Sequence, residues 1–122
     1  MTSNLALVHV HDARVRWGVL ATHVVRIVAA SEWVATPPVD LLAPLGPEPE
    51  AGLHGRRVVV VNGAGDRETA LLATGAIDIG DVDPSTVLPL PDTLARAVPE
   101  VSAIIVAHDA SLSLLFNPSA VM

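Results

Sequence analysis

Few side chains in this sequence could do chemistry. His9 and His11 stand two residues apart in an alternating apolar run, a spacing that projects both imidazoles to one face of a strand. With a carboxylate such as Asp12 they would offer nitrogen and oxygen donors to a metal ion. No third ligand is defined, so the reading is a pair of surface or rim histidines and no metal is expected. Gly63-Ala64-Gly65-Asp66 begins like a dinucleotide fingerprint, but the third glycine is missing and another strand-like run follows it. A phosphate cradle needs a helix N-terminus there, so a hairpin turn is the expectation. No Gly-x-Ser-x-Gly elbow is present, and His108-Asp109 falls in a turn, where Asp is a turn former. The sequence therefore points away from an enzyme. Trp17 and Trp33, with Phe116, are the only aromatic residues; Trp17 reads as a core plug, and Trp33, beside Glu32 and a proline-rich stretch, as either core or a partner anchor.

The elements that must carry these residues are strands. Short β-branched runs separated by turn residues occupy 5–10, 15–20, 24–29, 57–61, 69–74, 76–82, 103–107 and 112–116. In the first, Ala6, Val8 and Val10 are expected on a core face, with Leu7, His9 and His11 opposite. Turns at His11–Arg14, Asn62–Asp66 and His108–Ser111 read as hairpin connections, so successive strands should pair antiparallel into a barrel or sandwich. Residues 36–56 carry five prolines and three glycines, a composition that resists ladders and helices except for one short turn around Val39 to Leu45. This stretch is a linker or a covering loop. Asp92 should cap one helical turn, Thr93 to Ala97.

Composition narrows the class further. At 122 residues, 51% hydrophobic and 16% charged, the chain suits one folded unit with a substantial core. Its 13 acidic residues against 7 basic ones, a net charge of −6, leave no basic stripe for nucleic acid or an anionic membrane. There is no cysteine, no apolar run long enough to span a bilayer, and no positively charged leader ahead of an apolar segment, so a cytoplasmic protein is expected.

Trp17-Gly18-Val19-Leu20-Ala21-Thr22-His23-Val24-Val25-Arg26-Ile27-Val28 resembles the signature of CheW-like chemotaxis coupling proteins, with Val24 and Ile27 on its two apolar positions. The run Ala70 to Ile79 is similar to that family's second-barrel strand pair, and Leu112 to Val121 to its closing strand. The resemblance implies one all-β domain over 1–122, built of two small SH3-like barrels. The first would use 1–36 with the C-terminal strand, the second mainly 57–107, and 37–56 would be a proline-rich connection. A typical member has a further strand and an Asn-Leu-Arg-Gly turn between the Glu32–Pro38 stretch and Val39-Asp40-Leu41-Leu42, so the first barrel should be incomplete.

By the same resemblance the protein is an adaptor without a cofactor. It would bind the cytoplasmic tip of a chemoreceptor, a methyl-accepting protein, in a groove formed by Val8, Ala21, Val24, Ile27, Ala76 and Ile77. Asp78 would place a carboxylate there in place of a small residue. Loss of first-barrel strands implies weakened coupling to a CheA-type histidine kinase, in a diverged system such as a Frz-type gliding-motility one. The alternatives are a full coupling protein bridging receptor and kinase, partnership with another CheW-like protein, and, from another class, a small metal-dependent enzyme using His9 and His11.

Overall fold

The structure is a computed structural model that describes residues 4–49, 55–63, 67–97, 100–106 and 111–117. Alternating β-branched residues give, in chain order, β1 (Leu5–His11), β2 (Arg16–Leu20), β3 (Val24–Ala29), β4 (Arg56–Asn62), β5 (Glu68–Thr74), β6 (Ala76–Val82), β7 (Val87–Pro89), helix α1 (Asp92–Ala97), β8 (Val101–Val106) and β9 (Leu112–Phe116). Two sheets result among the described residues. One has six strands in the order β6-β1-β2-β9-β8-β7, the other three in the order β3-β4-β5.

The hairpin pairs β1–β2, β4–β5 and β8–β9 are antiparallel as expected, although residues 64–66 and 107–110 of the latter two turns lie outside the described residues. Sequential antiparallel pairing holds also for β3–β4 and β7–β8 and fails between β2 and β3, β5 and β6, and β6 and β7. β2 lies parallel to β9, and β6 pairs with β1, not with β5. The chain therefore changes sheet twice, through a 3₁₀ turn at Ala21–His23 and at Gly75. Gly75 has φ 126°, and a Cβ there would collide with the His11 carbonyl oxygen, so only glycine fits this crossing. Pairing also groups the strands differently from the expected barrels: β3, β4 and β5 form the small sheet, while β6, β7, β8 and β9 join β1 and β2 in the large one.

β7 was not expected, because Pro89 and Pro91 argue against a ladder. It is an edge strand, where a missing N–H donor is tolerated.

Three apolar clusters follow from this arrangement. One face of the six-stranded sheet gathers Leu7, Ala103, Ile105 and Leu115, with Val82 of β6 and Val87 of β7 packed on them, so both edges of the sheet curl around a common interior. The opposite face gathers Val10, Trp17, Val19, Leu114 and Phe116 against Val59, Val61, Leu71 and Ala73 of the small sheet. Trp17 is 1% exposed and meets Phe116 edge-on at 5.3 Å, the core plug its position implied. The small sheet's outer face holds Val58, Val60 and Ala70 beneath Val28, Ala30 and Trp33. Because β1 has a core on both faces, its simple alternation breaks: Leu7 is fully buried beside Val8 and Val10, and Ala6 is exposed.

The proline-rich stretch covers, and it also plugs. Leu41 and Leu42 are 3% and 1% exposed within the shared core, followed by a 3₁₀ turn at Ala43–Leu45. Val39 forms a parallel bridge to Leu71, donating its N–H to the Ala70 carbonyl and accepting from Leu72 N–H, each at 2.8 Å. One residue of the stretch thus joins a ladder despite its prolines, and it covers the free edge of β5. Residues 50–54 lie outside the described residues.

Candidate docking seam

The two places where the chain changes sheet position most of the expected groove residues. Ala21 opens the first crossing and Val24 begins the strand after it; Ala76 and Ile77 begin the strand after the second. Val24 and Ile77, both partly buried, pack against the same shared core, so β3 and β6, each an edge of its own sheet, flank that core. Ile27 is 38% exposed on β3. Val8, by contrast, is 3% exposed, held between Val19 on one side and Ile79 on the other, and offers no contact surface. Register also separates Ala21 from Ala76: Leu20 pairs with Leu7 near one end of β1, and Ala76 with His11 at the other.

Sequence reasoning missed Ile79. It shares the alternating face of Ile77 and is 72% exposed on the edge strand β6, with Val25 42% exposed on β3. The alternation of Ile77 and Ile79 was visible, but its meaning depended on β6 lying at an edge. The seam thus presents aliphatic side chains on two sheet margins, which suits helix docking by desolvation.

Asp78 is exposed on β6 and accepts a 2.7 Å hydrogen bond from His11 Nε2. His11 is committed to that carboxylate. His9 points into the mouth of the curled sheet, beside Gly18 and Gly80. Burial holds its pKa below the ordinary imidazole value; the Asp78 carboxylate opposes this, and His11 and Arg16 add to it. Among the described residues no group of three or more His, Asp or Glu side chains is placed to hold a metal ion, and no helix is long and apolar enough to cross a membrane.

A charged clamp forms at the β1–β2 turn. Arg14, in the β1–β2 turn, donates Nε and Nη2 to the two oxygens of Asp12 at 3.0 Å each, and Nη1 and Nη2 to Asp40 at 2.9 Å each. Its Nη1 also reaches the Gly46 carbonyl at 3.0 Å, and Thr74 Oγ1 donates to Asp12 at 2.7 Å. Burial opposes ionisation of Asp12, yet the hydrogen bonds from Arg14 and Thr74 prevail and hold its carboxyl below the ordinary range. Those same bonds to Asp12 and Asp40 raise the Arg14 pKa. Five guanidinium contacts therefore tie the β1–β2 turn to the proline-rich strap, and Asp12 carries the link on to the end of β5 through Thr74. Nothing in the sequence marks Arg14 as the partner of a residue 26 positions away.

On the outer face of the small sheet Trp33 Nε1 donates to the Thr36 carbonyl at 2.6 Å, and Arg26 lies 5.6 Å from the indole centre while pairing with Glu68 at 2.9 Å. Trp33 is thus a lid on Val58 and Val60, half-buried in its own chain.

No family model matches the chain, and no curated protein matches it. Among solved structures it is similar to the crystal structure of the scaffolding protein TtCheW from Thermoanaerobacter tengcongensis, with a TM-score of 0.76 over 98% of this chain and 88% of that one, at 13% identity. The chain therefore has the CheW fold, and the expected all-β, SH3-like architecture holds.

Proposed function

We propose that the chain is a non-enzymatic signalling adaptor of a chemosensory system, and that it docks the helical cytoplasmic tip of a chemoreceptor at the seam between β3 and β6. The observation that carries this reading is the pair of sheet margins bearing exposed Ile27 and Ile79 on either side of a shared core, on a scaffold with the fold of a known scaffolding protein. An amphipathic helical tip would lay its apolar face there, and Ala21, Val24, Ala76 and Ile77 would support the contact from beneath. Asp78 stands at the margin, where its charge would select among tips without supplying most of the affinity.

Among the described residues the small sheet has three strands, and in this reading a surface that a further strand would build is missing, so contact with a CheA-type kinase is weakened. The second reading is a full coupling protein that bridges receptor and kinase. It is favoured by the strap, whose Val39 bridge supplies the edge of β5 with the cover that a further strand would give.

Measuring the affinity of a soluble receptor hairpin for Ile27→Asp and Ile79→Asp tests the docking site. Each should weaken binding by about 1 to 3 kcal/mol while the fold is retained, and unchanged affinity for both would remove the assignment. Titrating the kinase separately distinguishes the two readings, since binding as tight as that of the receptor tip would favour the bridging protein.

A further inference from the structure

The interior of the curled six-stranded sheet opens at one end into a cleft that docking at the seam does not use. Its volume is about 190 Å³, above the roughly 150 Å³ of a cavity that holds benzene and below the ~300 Å³ of a drug-sized site, so it suits a short ligand. Register settles which side chains enter it. His9 pairs with Gly18, His11 with Arg16, Arg16 with Ser113, Ser113 with Ile105 and Leu5 with Val82, so His9, Arg16, Ser113, Ile105 and Val82 share the inward face of the sheet. Ile77, Ile79 and Asp81 alternate to the opposite face, where the seam lies. Val82 and Ile105 give the cleft an apolar floor continuous with the barrel interior.

Arg16 and Ser113 are left without partners on the inward face. Ser113 is 7% exposed and lines the cleft, yet its Oγ is buried and has no hydrogen bond. A buried hydroxyl left unpaired is destabilising unless an occupant meets it. Its cross-strand neighbour Arg16, half-buried in the same cleft, makes no hydrogen bond or ion pair with a described residue. The carboxylates nearest the cleft already accept elsewhere: Asp78 from His11 Nε2 at 2.7 Å, and Asp83, exposed on the rim, from Ser85 N at 2.9 Å. His9 forms a wall, its imidazole lying over two glycines: a Cβ at Gly18 would be 3.6 Å from Nδ1 and one at Gly80 3.7 Å from Nε2. Burial holds that ring below its ordinary pKa, so it adds no second positive charge at neutral pH.

A single guanidinium, an adjacent hydroxyl and an aliphatic floor select the ligand class. The fork of Arg16 and the Ser113 hydroxyl match the two oxygens of a carboxylate, and the floor matches a short apolar tail. A doubly charged anion such as phosphate would exceed the one charge of Arg16 and would face Asp83 at the rim; a cation would be repelled by Arg16. We infer that the barrel mouth binds a small aliphatic monocarboxylate, its carboxylate held by Arg16 and the Ser113 hydroxyl and its chain laid over Val82 and Ile105. The site lies on the other face of the sheet from the docking seam and does not depend on that reading.

The test is an NMR titration of the full chain with butyrate, isovalerate and hexanoate. The expected result is saturable shifts at the Ser113 and His9 amides with at least one of them. Isovaleramide, which keeps the skeleton without the charge, and inorganic phosphate, which carries charge without a skeleton, should each bind at least about tenfold more weakly, as should Arg16→Gln toward the carboxylate. Ser113→Ala removes only an unpaired hydroxyl and should fold normally, yet bind less tightly. Arg67→Gln removes the same charge beside the small sheet and should bind unchanged. No response to any of the three acids, equal binding of isovaleramide or phosphate, unaltered binding by folded Ser113→Ala, or an equal loss in Arg67→Gln would each overturn the inference.

Discussion

The two sheets reach stability by different routes. The six-stranded sheet curls until Val82 and Val87 from its two edges share one interior, so its strands supply most of their own cover. The three-stranded sheet does not close among the described residues. One face rests on the large sheet, the other lies beneath Trp33, Ala30 and Val28, and its β5 edge is covered by a single bridge from Val39. A sheet too small to curl relies on pieces that are not strands: a buried Leu41-Leu42 pair, a tryptophan lid and an arginine clamp. The small sheet should therefore be the part that opens first, and β3, which bears half of the proposed docking surface, belongs to it.

The most disruptive test of this contrast is Trp17→Ala. Trp17 belongs to the core shared by both sheets, so its loss should cost about 3 to 5 kcal/mol and unfold them together in a denaturant titration. Retention of a folded large sheet with only the small one lost would show that the shared core matters less than the clustering implies.

Arg14→Met should come next, at about 3 kcal/mol, because it leaves Asp12 and Asp40 as uncompensated carboxylates, with Asp12 nearly fully buried. Hydrogen exchange should accelerate first at Leu72, whose N–H is bound to Val39. Acid sharpens the same point. Asp12 is held below its ordinary pKa, so the folded chain takes up that proton less readily than the unfolded one. The stabilisation is complete above the unfolded value, near ~4, and fades as pH falls through the lower folded value. Stability against pH should show this acid limb, and Arg14→Met should flatten it.

The smallest effect expected is that of Trp33→Ala, about 1 kcal/mol, since the indole is only half-buried and its partner Arg26 is exposed. Exchange should quicken at Val58 and Val60 and remain unchanged in β8 and β9. A cost as large as that of Trp17→Ala would mean that the outer face is a core equal to the other two.

Much of this was legible in the residues. Runs such as Val58-Val59-Val60-Val61 and Ala70-Leu71-Leu72-Ala73 could only be buried strands, and the tight turn at Asp12-Ala13-Arg14 set the first hairpin. What stayed hidden depended on pairing between distant segments. That β6 joins β1 left Ile79 outside, and that β1 has cores on both sides buried Leu7 and Val8 together. Alternation identifies two faces but does not say whether water or another layer meets each one. The clamp was invisible for a similar reason, because Asp40 reaches Arg14 only once Leu41 and Leu42 have entered the core. β7 was concealed by its prolines, which a strand tolerates only at an edge that the sequence does not announce.

The most direct measurement of the docking claim is a residue-resolved titration of the labelled chain with a soluble chemoreceptor hairpin. The expected result is saturable shifts concentrated in 24–29 and 76–82, absent in Ile79→Asp. A hairpin that binds with shifts confined to β8 and β9, or that does not bind the folded chain at all, would contradict it.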